Sequence, residues 1–287
     1  MTKPTDLMAG KCGLVMGVAN DHSIAWGIAR ALSAQGAEVA LTYQGEAQAR
    51  RLKPLAAEIG AGIVLPGDVE NDEQLDAVFE TLKREWGGID FLVHSVAYSD
   101  RTELKGRYVD TSRANFVRSL SISCYSFTTV ARRAADLMRD CGGGSMLTLT
   151  FVGATRVMPN YNVMGVAKAA LEASVRYLAS DLGPENIRVN AISAGPMRTL
   201  AGSAIGEARI VFRWNKAHAP LRKSIELEHV GDAAIYLLSD MSQGVTGEVH
   251  FVDAGFNIVG MPPAADLKGW IATGSGEEEK SDGNGES

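Results

Sequence analysis

The chain has 287 residues, 46% of them hydrophobic and 22% charged, and a formal net charge of −6, which suits one large soluble α/β domain and speaks against nonspecific nucleic-acid binding. No run of about 18 apolar residues occurs and the N-terminus, Met1-Thr-Lys-Pro-Thr-Asp-Leu, lacks an apolar signal core, so no membrane span and no export are expected and the chain reads as cytoplasmic. Cys12, Cys124 and Cys141 have no CxxC spacing and the five histidines form no helical pair, so free thiols and no metal site are expected.

Lys11 to Asn20 reads as a short buried strand running into a turn, and Ser23 to Ser33 as the helix it feeds, with Ser23 near the N-cap. A strand, a glycine turn and a helix start form a phosphate cradle, because unpaired backbone N–H groups and the positive helix end face the turn. Gly13, Gly17 and Gly27 are spaced more loosely than GxGxxG, a pattern that equally suits an ordinary packed turn. Ala37 to Gln44 is a second strand, whose end should reach an adenosine ribose. An acid there would select NAD and a basic group NADP. Gln44 can hydrogen-bond without favouring a 2′-phosphate, and Arg50 and Arg51 lie a turn or more into the next helix. NADH is therefore expected over NADPH.

After a helix from about Glu46 to Ile59, Ile63 to Val69 is a third strand that ends near Asp68, a residue able to cap the helix starting near Asn71. Ile89 to Ala97 is the fourth strand, and its exit loop should line the ligand crevice. Tyr108 to Asp140 holds a long helical run, and Gly144 to Phe151 is the fifth strand.

Tyr161-Asn-Val-Met-Gly-Val-Ala-Lys168 opens the next helix, which continues to about Leu182. Seven residues make just under two turns, so Tyr161 and Lys168 fall on one face about 10 Å apart along the axis. A phenol and an ammonium then look into one cleft, with Met164 and Gly165 between them. Gly165 leaves room for a ligand close to the backbone. An isolated Tyr and Lys would also suit a solvated amphipathic face; the surrounding motifs favour the cleft.

Pro159 to Lys168, with Asn190-Ala-Ile-Ser-Ala-Gly-Pro-Met-Arg-Thr-Leu-Ala201 downstream, closely resembles the bacterial enoyl-[acyl-carrier-protein] reductases of the short-chain dehydrogenase/reductase superfamily. The resemblance runs from about Gly10 to Lys268. Ordinary members of that superfamily place the lysine four residues after the tyrosine, whereas the enoyl reductases place it seven after, as here. The wider spacing has a chemical reason. In a ketone reductase the hydride lands on the carbon bearing the protonated oxygen, whereas in a 2-enoyl thioester it lands on the β carbon and charge develops on a more distant carbonyl oxygen.

The resemblance implies Tyr161 and Lys168 as the catalytic pair. Lys168 would hold the nicotinamide ribose and lower the phenol's pKa by its charge. It implies cofactor contacts from Gly17, Ser23, Ile24, Gln44, Asp68, Val69, Val96, Lys168, Met197, Thr199 and Ala201. Ala97, Tyr98, Ser99, Phe151, Tyr161 and Met164 would meet the substrate, and many relatives carry glycine at position 97. Phe151 is a departure, because the bacterial enzymes typically have a second tyrosine there, while the mycobacterial branch carries phenylalanine nearby. The main expectation is NADH-dependent reduction of a trans-2-enoyl thioester on acyl carrier protein in fatty acid biosynthesis. The alternatives are a diverged paralogue with another substrate or a non-catalytic NADH-binding protein, which Phe151 leaves open, and another short-chain reductase, against which the Tyr161 to Lys168 spacing argues.

Ile187 to Ser193 is the sixth strand, Ile225 to Asp240 a helix and Gly247 to Asp253 a seventh strand. The segment of about 197–223 would cover the substrate. It is locally basic, with Arg198, Arg209, Arg213, Lys216, Arg222 and Lys223 against Glu207. That suits either a docking face for the acidic carrier protein or an ordinary solvated helix. The helices after Tyr108 and Tyr161 carry small or apolar residues on more than one face, and the resemblance implies a homotetramer built through them. The expected fold is a single-domain, Rossmann-type, doubly wound parallel sheet of seven strands over residues 1–273. The tail, 274–287, has no apolar residue to bury and should be disordered.

Overall fold

The computed structural model describes residues 6–197, 199 and 208–261. Seven parallel strands form one sheet in the order β3-β2-β1-β4-β5-β6-β7, as expected. The strands are β1 (Cys12–Met16), β2 (Glu38–Tyr43), β3 (Ile63–Pro66), β4 (Phe91–His94), β5 (Gly144–Thr150), β6 (Ile187–Ala194) and β7 (Val249–Val252). The order reverses between β1 and β4. Side chains of the central strands go alternately to two apolar layers, which is why β1 and β4 read as near-continuous hydrophobic runs. Val15, Val93 and Leu147 enter one layer, while Leu14, Leu92 and Met146 enter the other.

The first layer is covered by α1 (Ile24–Ala34), α2 (Glu46–Glu58) and α8 (Leu227–Leu238). α1 and α8 cross closely, because a Cβ on Gly27 would stand 2.8 Å from Leu227 Cβ and one on Gly231 2.8 Å from Ala31 Cβ. Gly27 is thus a helix-packing residue and takes no part in a phosphate cradle. The second layer is covered by α3 (Asp72–Trp86), α5 (Ser126–Asp140) and α6 (Val163–Leu182). Asn71, whose side chain accepts from Gln74 N at 3.0 Å, caps α3. Asp68 does not; its Oδ1 accepts from Glu70 N at 3.0 Å.

The helical run after Tyr108 is not continuous. A 3₁₀ turn over Tyr108–Asp110 precedes α4 (Arg113–Leu120), which Ser112 caps, and a π-helical turn over Ser121–Tyr125 joins α4 to α5. Contacts at Ser126 accompany the π turn. Ser126 Oγ donates to Ile122 O at 2.6 Å, and the ring of buried His94 reaches the same hydroxyl at 2.8 Å. α7 (Ala208–His218) precedes α8. Among the described residues no helix is long and apolar enough to cross a membrane. Arg198, Ala201, Glu207 and the tail 274–287 lie outside the described residues.

Candidate active site

The carboxyl ends of β1, β4, β5 and β6 open on a cleft of about 740 Å³ at the point where the strand order reverses, the place where open α/β sheets bind ligands. Gly17, Ala19, Ser23 and Ile24 line one part of it; Thr150, Phe151, Tyr161, Met164 and Lys168 line another. Gly17 is held at φ +100°, and a Cβ there would collide with the Ser95 carbonyl, so glycine lets the exits of β1 and β4 touch.

Ser23 stands at the N-cap of α1 but makes no side-chain capping bond. Its Oγ instead accepts from Ala19 N at 3.0 Å and Asn20 N at 3.1 Å, fixing the turn after β1. The first turn of α1 therefore meets the cleft with its own backbone N–H groups, a site that favours anions.

Tyr161 is not on α6. It precedes the helix, between Asn160 at φ +56° and Asn162 at φ +39°, positive values that asparagine tolerates better than most residues. Asn162 Nδ2 ties this turn to Glu103 O and Gly106 O, each at 3.3 Å. Gly165 also serves another purpose than expected. A Cβ there would stand 2.8 Å from Gly153 O, so the glycine admits the backbone of the 3₁₀ turn Val152–Ala154 and makes no room for a ligand.

Lys168 is buried in α6, and its Nζ donates to Leu149 O at 2.7 Å. Burial lowers its pKa to about 8, with Cys124 and Glu172 acting against that shift. The Tyr161 phenol is buried as well. Burial first, and Glu172 second, push its pKa up, against the expected lowering by Lys168. The raised value keeps the phenol protonated as a donor. Phe151 meets the Tyr161 ring edge-on, with centroids 5.1 Å apart and planes at 67°.

Ala97, Tyr98 and Ser99 lie on the cleft wall, with Val96 beside them. The π turn sets their position. Ser123 Oγ accepts from Tyr98 N at 2.9 Å and donates to Tyr98 O at 3.1 Å, and it lies 3.8 Å from Met164 Sδ. Arg118 stacks 4.5 Å over the Tyr98 ring while its guanidinium pairs with Glu70. Met197 and Thr199 line the cleft beyond β6, joined by Val211 and Phe212 of α7, two residues for which the sequence carried no signal apart from their place in the covering segment.

Gln44, Asp68 and Val69 do not line the cleft. Gln44 Nε2 donates to Asp68 Oδ2 at 3.2 Å, linking the exits of β2 and β3, while Val69 packs on the second apolar layer. An amide and a carboxylate there suit ribose hydroxyls and an adenine amino group better than a 2′-phosphate. With the turn after β1, they fit an NAD-type dinucleotide. Thr150 and Glu172 went unnoticed in the sequence: Thr150 Oγ1 donates to Glu172 Oε1 at 2.7 Å behind the catalytic wall. The only sequence signal was an acid at helical spacing between Lys168 and Arg176.

The sheet order, the turn after β1 and the buried tyrosine and lysine beside β5 define a doubly wound, dinucleotide-dependent oxidoreductase. The chain belongs to the enoyl-(acyl carrier protein) reductase family, whose model matches residues 17–257. It is 61% identical over 262 residues to the Rhizobium meliloti enoyl-[acyl-carrier-protein] reductase [NADH] 2, covering 91% of this chain and 97% of that protein. It is 60% identical over 261 residues to reductase [NADH] 1 of the same organism, covering 91% and 95%. The solved structure of the Anaplasma phagocytophilum reductase in complex with NAD superposes with a TM-score of 0.86 at 57% identity, over 90% of this chain and 97% of that one.

Proposed function

We propose that this protein reduces trans-2-enoyl thioesters carried on acyl carrier protein, with NADH as reductant, in the cytoplasm and as a step of fatty acid biosynthesis. The observation that carries the reading is the buried pair Tyr161 and Lys168 on one wall of the cleft, seven residues apart with the tyrosine set off the helix. NADH, when bound, supplies the hydride that the β carbon receives. Tyr161 then donates a hydrogen bond, and in the limit its proton, to the thioester carbonyl oxygen where negative charge develops. The Lys168 ammonium, held by Leu149 O, would hold the nicotinamide ribose and adds positive charge to the same wall. Phe151 packs on the phenol, limits its rotation and excludes water from it. Gly17, Ser23 and Ile24, with Met197 and Thr199, would hold the pyrophosphate; Ala201, also proposed as a cofactor residue, lies outside the described residues. Gln44, Asp68 and Val69 would hold the adenosine end, and Val96 would contact the nicotinamide end. Ala97, Tyr98, Ser99 and Met164 line the acyl path.

The protein is proposed to act as a homotetramer, supported by apolar side chains left on the surfaces of α4, α6 and the π turn, among them Val117, Tyr125 and Tyr177. The carrier protein would dock on α7 and the loop after it, where Arg213, Lys216, Arg222 and Lys223 are exposed. The deciding test is NADH oxidation with crotonyl and longer trans-2-enoyl thioesters, beside NADPH and a 3-ketoacyl thioester. Enoyl-dependent oxidation of NADH is expected. Binding of NADH with no turnover on any enoyl substrate would overturn the proposal in favour of a non-catalytic paralogue.

A further inference from the structure

Two charged groups of α6 grip neighbouring residues of β5, Lys168 at the cleft wall and Glu172 behind it. Lys168 Nζ donates to Leu149 O at 2.7 Å, and Glu172, one turn further along, accepts from Thr150 Oγ1 at 2.7 Å. Leu149, Thr150 and Phe151 all line the cleft, and both charged residues are buried. The ammonium and the carboxylate make no direct salt bridge among the described residues, so they act on each other through a low-dielectric interior, where charge interactions are strong.

We propose that Glu172 is a positioning residue for the reduction: with Lys168 it holds the Leu149–Thr150 end of β5, and its charge is the buried counter-charge to the Lys168 ammonium. The inference rests on the reductase reading above.

The charged and titratable groups around the pair are few. Glu172 meets Thr150 of β5 and, on its own helix, Arg176 and Lys168; it also acts on Tyr161 in the preceding turn. Lys168 further meets Cys124 of the π turn and acts on His94 of β4, which burial keeps neutral with a pKa lowered to about 3. Burial pushes the Glu172 carboxyl up, while Thr150, Arg176 and Lys168 favour its ionised form. Reciprocally, the carboxylate favours the ammonium. Glu172→Gln retains an oxygen that can accept from Thr150 but removes the charge, so Lys168 loses its proton at lower pH. Glu172→Asp retains the charge but draws the carboxylate back from Thr150.

The experiment is the pH profile of kcat/KM for NADH, with kcat measured separately, on the full-length wild type and both variants. Wild-type turnover is measured first, since its absence defeats the reductase reading and not this inference alone. In Glu172→Gln the alkaline limb is expected to move down by ~0.5–1 pH unit, which lowers activity at pH 8 relative to pH 6.5 about two- to fourfold further than in wild type. Glu172→Asp is expected to leave the limb in place and lower kcat about three- to tenfold through misplacement of β5. A Gln variant whose profile is only scaled, with the limb unmoved, overturns the counter-charge. If the Gln variant does not fold, Glu172→Asp decides: wild-type kcat and profile overturn the positioning role.

Discussion

Tyr161 stands in a buried wall that disfavours its phenolate, so its proposed contribution to the reaction is that of a donor to developing charge. Tyr161→Phe keeps the edge-on packing with Phe151 and removes only the hydroxyl. It is expected to lower kcat by about 10²-fold or more, with the Kd for NADH, measured by fluorescence titration, changing less than about twofold. Unchanged turnover would remove Tyr161 from the mechanism. Lys168 predicts the pH dependence. Burial disfavours its charged form and lowers its pKa from 10.5 to about 8, and the charged form is the one that serves the cleft. The kcat/KM for NADH should therefore fall as pH rises through about 8, some two units earlier than for an exposed lysine. The identities and spacing of both residues were legible in the sequence. The burial that sets their protonation was not, because it depends on what β5 and the turn after it place over them.

At the scale of elements, the turn before α6 and the 3₁₀ turn after β5 are pressed together, with Gly165 allowing the contact. Gly165→Ala puts a methyl 2.8 Å from Gly153 O, and backbone has little room to yield. The variant is expected to lose about 1–3 kcal/mol in urea unfolding and to lose kcat more than NADH affinity, since Gly153 also packs on the Tyr161 ring. Helical periodicity carried Tyr161 one element too far, because asparagines on both sides permit a non-helical turn that a 3.6-residue period does not register. The π turn escaped notice for a related reason: a contact that accompanies it comes from His94, on a strand 27 residues earlier in the chain. α7 carries a prediction of its own. Arg213→Glu with Lys216→Glu should raise KM for an enoyl group on acyl carrier protein about tenfold, with a weakened salt dependence, and leave KM for a short enoyl thioester nearly unchanged. Equal effects on both substrates would place these cations at the cleft instead of at the carrier.

For the whole molecule, the exposed tyrosines of the second helical layer are where the proposed tetramer would bury apolar surface. Tyr125 and Tyr177 are 64% and 75% exposed, on helices whose inner faces already pack on the sheet. Covering such side chains against a second copy contributes about 25 cal/mol per Å² of apolar surface removed from water. Tyr125→Glu with Tyr177→Glu should shift the sedimentation coefficient from that of a tetramer toward smaller species, while the circular dichroism of the sheet and helices is retained. A wild-type protein that sediments as a monomer would defeat the assembly.

The sequence by itself determined the order of the seven strands' appearance, the doubly wound class, the tyrosine and lysine and the dinucleotide type, because these follow from local patterns: apolar runs, helix starts, and residue types at fixed spacing. Only the tertiary structure decided that Gly27 and Gly165 serve packing, that Ser23 braces a turn, that Tyr161 stands off its helix, and that Thr150 and Glu172 close the site from behind. Each of these is settled by a neighbour distant along the chain. Burial and hydrogen bonding are properties of such neighbours, and local spacing does not encode them.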